Sequence, residues 1–206
     1  MNKPHEASAA LQLIAPTALA LDADIAPLSI ALLELLQRRR SGRAYKADEL
    51  PLYTLSRLLW AAFGINRPAQ RGRTAPSAND GQEIDIYVAM RAGLYRFDAD
   101  RLLLEPVLGR DIRGATGGQD FVADAPLNLI YVAKLDPASA MPQAEQEFYA
   151  ALDTGFISQN VYLLCAAEGL ATVVRGWVDR PALAALMGLR PQQRVIAAQS
   201  VGYPQS

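Results

Sequence analysis

Three short stretches of the 206-residue chain carry side chains suited to chemistry. The first is Arg38-Arg39-Arg40-Ser41-Gly42-Arg43. Each guanidinium is a planar fork of donors that matches phosphate oxygens, and Ser41 adds a hydroxyl in the same turn, so the cluster reads as a phosphate clamp. The plain alternative is a basic last turn that complements a helix dipole and ends at Gly42. The second stretch runs from Arg73 to Gln82 through Thr74-Ala75-Pro76-Ser77-Ala78-Asn79-Asp80-Gly81. These are turn-forming residues, yet the loop is long for a compact domain, and Ser77, Asn79 and Gln82 offer hydrogen bonds to a polyol or a heteroaromatic edge. In the third, Val173-Val174-Arg175-Gly176-Trp177, a strand-like run meets a glycine, which marks a bulge or a close backbone approach by a ligand. Cys165 falls on an apolar helical face and reads as an inert core thiol. Asp153, Gln159 and Asn160 interrupt an apolar helix, where they cap, pair across an interface or face solvent.

Composition narrows what these residues can do. Twenty basic against 21 acidic side chains leave a net charge of −1, and the pI is about 5.9. That balance argues against sequence-blind nucleic-acid binding. Apolar residues make up 51%, which argues against global disorder. One histidine and one cysteine exclude a Cys/His zinc site, and a Ser-His-Asp triad would have to recruit His5. A single cysteine also forbids an internal disulfide framework. No apolar run approaches the roughly 20 residues that span a bilayer. The apolar stretch at 9–20 lacks a positively charged leading region and is broken by Pro16, so a cytoplasmic protein is expected rather than a secreted one.

The elements that must position the three stretches are legible from periodicity. Residues 1–25 show no clean period and read as an N-terminal arm, followed by one domain over 26–206. A helix is predicted at 27–38, with Leu28, Leu32, Leu35 and Leu36 on one face. A second is predicted at 51–63, with Gly64 placed for a left-handed C-cap. Alternation at 84–90 predicts a half-buried strand, followed by a small meander through 94–97 and 102–105. The nearly continuous apolar run 127–133 predicts a central strand buried on both faces. A long helix is predicted at 143–168, ending at Gly169. Phe148, Leu152, Phe156, Val161, Leu164 and Cys165 supply its apolar faces, and Gly155 marks a break or a close helix contact. Strands at 172–177 and 195–201 flank a short helix near 181–187. The class is α+β.

In order and spacing these pieces resemble the FMN-dependent nitroreductase family, and within it the branch that contains the SagB-type dehydrogenases. The resemblance covers residues 35–203. It rests on Arg39-Arg40-Ser41-Gly42-Arg43, Leu58-Leu59-Trp60-Ala61-Ala62-Phe63-Gly64-Ile65-Asn66, Arg73-Thr74-Ala75-Pro76-Ser77-Ala78, and Ala125-Pro126 before the central strand. Asp153-Thr154-Gly155 with Gln159-Asn160, Gly169-Leu170-Ala171-Thr172 and Val201-Gly202-Tyr203-Pro204 complete it.

The resemblance implies a central, mainly antiparallel sheet flanked by helices, in an intertwined homodimer with FMN at the subunit interface. It places Arg39, Ser41 and Arg43 at the phosphate and ribityl end, with Arg40 adjacent. Pro76, Ser77, Ala78, Asn79, Asp80 and Gln82 would line the ring, and Arg175 and Gly176 would turn backbone N–H groups toward it. Asp80 beside the ring would disfavour the anionic reduced flavin. The basic tail that many relatives use on the phosphate has no counterpart after Tyr203. The implied activity is ping-pong hydride transfer from NADH or NADPH through FMN to a nitroaromatic or quinone-like acceptor, with no protein nucleophile and no metal. The alternatives are a SagB-like azoline dehydrogenase acting on peptides, and a non-catalytic FMN-binding protein.

Overall fold

The computed structural model describes residues 19–20 and 32–205. In chain order its elements are β1 (Leu19–Ala20), α1 (Leu32–Arg38), α2 (Leu52–Phe63), β2 (Ile65–Arg67), β3 (Gly72–Arg73), β4 (Ile84–Met90), β5 (Gly93–Asp98), β6 (Leu103–Leu108), β7 (Leu127–Lys134), α3 (Gln143–Glu168), β8 (Ala171–Arg175), α4 (Arg180–Met187) and β9 (Gln193–Gly202). Seven strands form one sheet in the order β1-β6-β5-β4-β7-β9-β8, and every neighbouring pair is antiparallel. β2 and β3 form a separate small hairpin. The class is α+β, with helices packed on the sheet.

Strand β7 is the axis of the core. Leu127, Leu129, Tyr131 and Ala133 face one apolar cluster with α2 and α3, while Ile130 and Val132 face another that holds Leu183 and Met187 of α4. The continuous apolar run is thus explained by burial on both faces. Strand β4 departs from its expected half-burial: Tyr87 and Ala89, on the face opposite Ile86 and Val88, are buried too. It lies between β5 and β7, where α4's cluster covers its second face.

Helix α2 spans the predicted residues to within one position. Gly64 does not adopt a left-handed cap, however; it is extended at φ −72°, because the chain passes directly into β2. Helix α3 has the predicted bounds and ends on Gly169 in the left-handed region, φ 69°. Gly155 does not break it, and among the described residues of this one chain a side chain there would find open space. Phe148, Leu152 and Phe156 lie on solvent, Phe148 being 64% exposed, so only part of the expected apolar surface of α3 is core. The first predicted helix begins outside the described residues, and of the predicted arm only Leu19–Ala20 is described, pairing with β6 at the sheet edge.

Candidate active site

The 39–43 segment is held against the end of the sheet by its own backbone. Gly42 N–H donates to Thr172 O at 2.9 Å, Tyr45 Oη–H to Gly42 O at 2.7 Å, and Gln205 N–H to Ala44 O at 3.1 Å. The approach is close enough to require a glycine, since a Cβ at position 42 would stand 2.9 Å from Ala171 Cβ. Tyr162 borders both groups of side chains that follow. Arg39 lies over the Tyr162 ring at 5.3 Å, and Ser41 Oγ is 2.9 Å from the Tyr162 hydroxyl. Arg40 and Arg43 instead line an open cleft of about 640 Å³, together with Arg38, Gly169, Thr172 and Pro204.

Arg38 is neutralised by Glu34 one turn back. Among the described residues no carboxylate lies within 4.0 Å of Arg39, Arg40 or Arg43, whereas eight other arginines each have one. Three unpaired guanidiniums and a hydroxyl within five residues form a donor set for an anion.

Tyr162 joins this cluster to the third stretch, because its hydroxyl also accepts the Val174 N–H at 3.0 Å. Arg175 is the last residue of β8, so Gly176 lies past the strand end, exposed, and is not a bulge within it. The Arg175 side chain turns inward and is 3% exposed. It donates to Thr116 O at 2.8 Å, Thr116 Oγ1 at 3.3 Å and Asn128 Oδ1 at 3.0 Å. Burial lowers its pKa to about 10, which leaves it a cation at neutral pH. Its function is therefore to pin the 116–118 loop beneath the strand end, where Gly118 N–H reaches Trp177 O. The strand end meets the cluster through the Val174 N–H on Tyr162, while the Arg175 charge lies toward Tyr45, whose hydroxyl holds Gly42 O. Cys165 borders the cleft, but burial raises its thiol pKa, as expected of an inert core thiol.

The second stretch is docked elsewhere on α3. Ala78 N–H donates to Asp153 Oδ2 at 2.9 Å, Gln82 N–H to Ser77 Oγ at 3.0 Å and Arg73 Nε to Gln82 Oε1 at 2.8 Å. The Gln82 side-chain amide in turn donates to Asp80 Oδ1 at 3.0 Å. Asn79, Asp80 and Gln82 all have positive φ, at 52°, 53° and 47°. Three non-glycine residues in the left-handed region persist only where contacts fix them, and such strain gathers at functional loops. Pro76, Asn79 and Asp80 are exposed, while Ser77, Ala78 and Gln82 are half-buried.

Within one chain, then, the first and third stretches are brought together and the second is not. Asp153 and Tyr162 are nine residues apart on α3, about two and a half turns and roughly 13.5 Å, which places them on opposite sides of the helix. Between those sides lies the exposed stripe of Phe148, Leu152 and Phe156. Of the polar residues in α3, Asp153 holds the loop, whereas Gln159 and Asn160 are only half-buried. The organising residues that sequence reasoning passed over are Tyr162, Thr116 and Asn128. Asn128 carried a signal, as the sole amide in an otherwise apolar run; Tyr162 carried none.

Residues 36–203 match the sequence profile of the Nitroreductase family. The chain belongs to the nitroreductase family. A Methanocaldococcus jannaschii protein bearing a nitroreductase name is 33% identical over 158 residues, 71% of this chain and 79% of the relative. A crystal structure from Ralstonia eutropha, also named as a nitroreductase, superposes with a TM-score of 0.87 at 41% identity, covering 92% of this chain and 90% of that one. The E. coli microcin synthetase McbBCD complex shares the fold at 19% identity, with a TM-score of 0.71 over 89% of this chain and 76% of that one. Membership makes this nitroreductase-fold protein an oxidoreductase by family, from a group that typically uses flavin and nicotinamide nucleotides. No helix among its described residues is long and apolar enough to cross a membrane.

Proposed function

We propose that this chain is an FMN-dependent oxidoreductase that takes electrons from NADH or NADPH and passes them to flat nitroaromatic or quinone-like acceptors. The observation that carries this reading is the unpaired arginine cluster bound through Tyr162 to the end of β8. The donor set fits FMN: a phosphate dianion needs several guanidiniums that no carboxylate has already neutralised, and Arg39, Arg40 and Arg43 meet that condition. Arg39, Ser41 and Arg43 would hold the phosphate and ribityl end, with Arg40 beside them. The exposed Gly176, with the Arg175 backbone leading into it, would face one edge of the ring. Pro76, Ser77, Ala78, Asn79, Asp80 and Gln82 would line it from another side.

Those two groups lie on opposite sides of α3, so a complete site calls for a second copy. The exposed Phe148–Leu152–Phe156 stripe supports a homodimer in which paired α3 helices bring the loop of one chain to the arginine cluster of the other. When bound, FMN supplies a ring that accepts a hydride and returns it to an acceptor. The protein's share is binding, orientation and electrostatics, which is consistent with the lack of any nucleophile–base pair in the three stretches. A donor and an acceptor that used this site in turn would give parallel lines in double-reciprocal plots with NAD(P)H and a nitroaromatic; intersecting lines would contradict the scheme.

The fold shared with a chain of the microcin synthetase complex supports a second reading, a SagB-like dehydrogenase acting on azolines in a peptide. Flavin that NAD(P)H leaves oxidised, but that turns over an azoline peptide, would select it.

A further inference from the structure

Glu83 directly follows the strained 77–82 loop, and its carboxyl faces that of Asp153 within hydrogen-bonding reach. Asp153 is 1% exposed and already accepts the Ala78 N–H. Glu83 Oε1 is enclosed and has no hydrogen-bond partner. Its backbone is fixed by the β7 neighbour, since Lys134 N–H donates to Glu83 O at 2.9 Å. Two carboxyls in contact, one fully buried, cannot both be charged without mutual repulsion. The cation that faces them, Lys134, has its ammonium committed to Asp85 at 3.0 Å.

We propose that Glu83 carries a proton that it donates to Asp153, and that this hydrogen bond clamps the 77–82 loop onto α3 in its strained conformation. Protonated Glu83 donates to Asp153, while Asp153 Oδ2 keeps the Ala78 N–H. Loss of the proton sets two carboxylates against each other. The loop yields, because Asp153 sits in mid-helix whereas Glu83 leads straight into Gln82 and its neighbours at positive φ. Burial and the Asp153 charge together raise the Glu83 pKa to about 7, so the clamp opens across the neutral range. A link between this opening and cofactor binding rests on the flavin reading above; the clamp itself does not.

Hydrogen exchange of the Ala78 and Gln82 amides in the FMN-free full chain, corrected for intrinsic base catalysis, tests the clamp directly. Protection is expected to be level below about pH 6 and to fall by up to tenfold per pH unit above a midpoint near 7, the limit for one linked proton. Glu83→Gln keeps a donor toward Asp153 without a titrating group and should be level throughout. Asp153→Asn should be level as well, since its amide accepts from Ala78 and donates to ionised Glu83; it carries the test if the first variant fails to fold. Level protection in the wild type, or a wild-type break retained in the variants, would overturn the clamp. FMN titrated into the wild type should lose affinity with the same midpoint. An exchange break with pH-independent FMN affinity would overturn the link to the site. A break in protein that binds no FMN at all would uphold the clamp and count against the flavin reading.

Discussion

Arg39, Arg40 and Arg43 differ from most other arginines of the chain in having no carboxylate within 4.0 Å, which on the proposed reading leaves them for the FMN phosphate. A charge-assisted hydrogen bond contributes about 2 kcal/mol, so Arg39→Ala or Arg43→Ala should weaken FMN binding roughly thirtyfold. Riboflavin, which lacks the phosphate, should bind variant and wild type alike. Fluorescence titration with both flavins checks this, and equal losses for the two would move these arginines away from the phosphate. Arg175 serves otherwise. Its three hydrogen bonds hold Thr116 and Asn128 in the interior, so Arg175→Ala should cost about 3 kcal/mol of stability in urea unfolding. A change below about 1 kcal/mol would refute that structural function. The sequence marked the arginine cluster plainly, because charge density is visible in one dimension. It could not show that Arg175 points inward, because that depends on the 116–118 loop, nearly 60 residues away in the chain.

Helix α3 organises the site more than any other element, carrying Asp153 on one side and Tyr162 on the other. Its bounds and those of β4 and β7 were readable, since periodicity and the stop at Gly169 are local signals. The conformations of Gly64 and Gly176 were not, because each depends on what the chain does next: entry into β2 in one case and departure from β8 in the other. The contact between Glu83 and Asp153 bridges a strand start and a mid-helix position that no pattern connects. It has a consequence for stability. The Glu83 pKa in the folded state, about 7, lies above the ordinary carboxyl value of 4.5. The folded state therefore retains a proton that the unfolded chain releases. The stability from this group is fully present below about pH 4.5 and is lost as pH rises through about 7. Unfolding midpoints measured between pH 5 and 8 should fall more steeply in the wild type than in Glu83→Gln; parallel curves would contradict the assignment.

On the proposed reading, the single chain would present half of each of two sites, with the exposed stripe of Phe148, Leu152 and Phe156 between them. The α+β class followed from the absence of a regular βαβ rhythm, the family from motif order, and the sheet's antiparallel character from the family resemblance. The exposed face of α3 did not, because a helix apolar on several sides looks the same whether its second face meets the core or another copy. If that stripe joins two chains, Phe156→Asp should shift the protein from dimer to monomer in sedimentation and lower its flavin content, since each site then loses the partner loop. A wild-type monomer that binds FMN fully would contradict this arrangement. The central claim, a flavin oxidoreductase reduced by a nicotinamide nucleotide, is tested most directly by the visible spectrum of the protein loaded with FMN, recorded without oxygen before and after addition of NADH or NADPH. The account predicts a yellow protein that bleaches on addition of the nucleotide. Protein that stays colourless after incubation with FMN would contradict it.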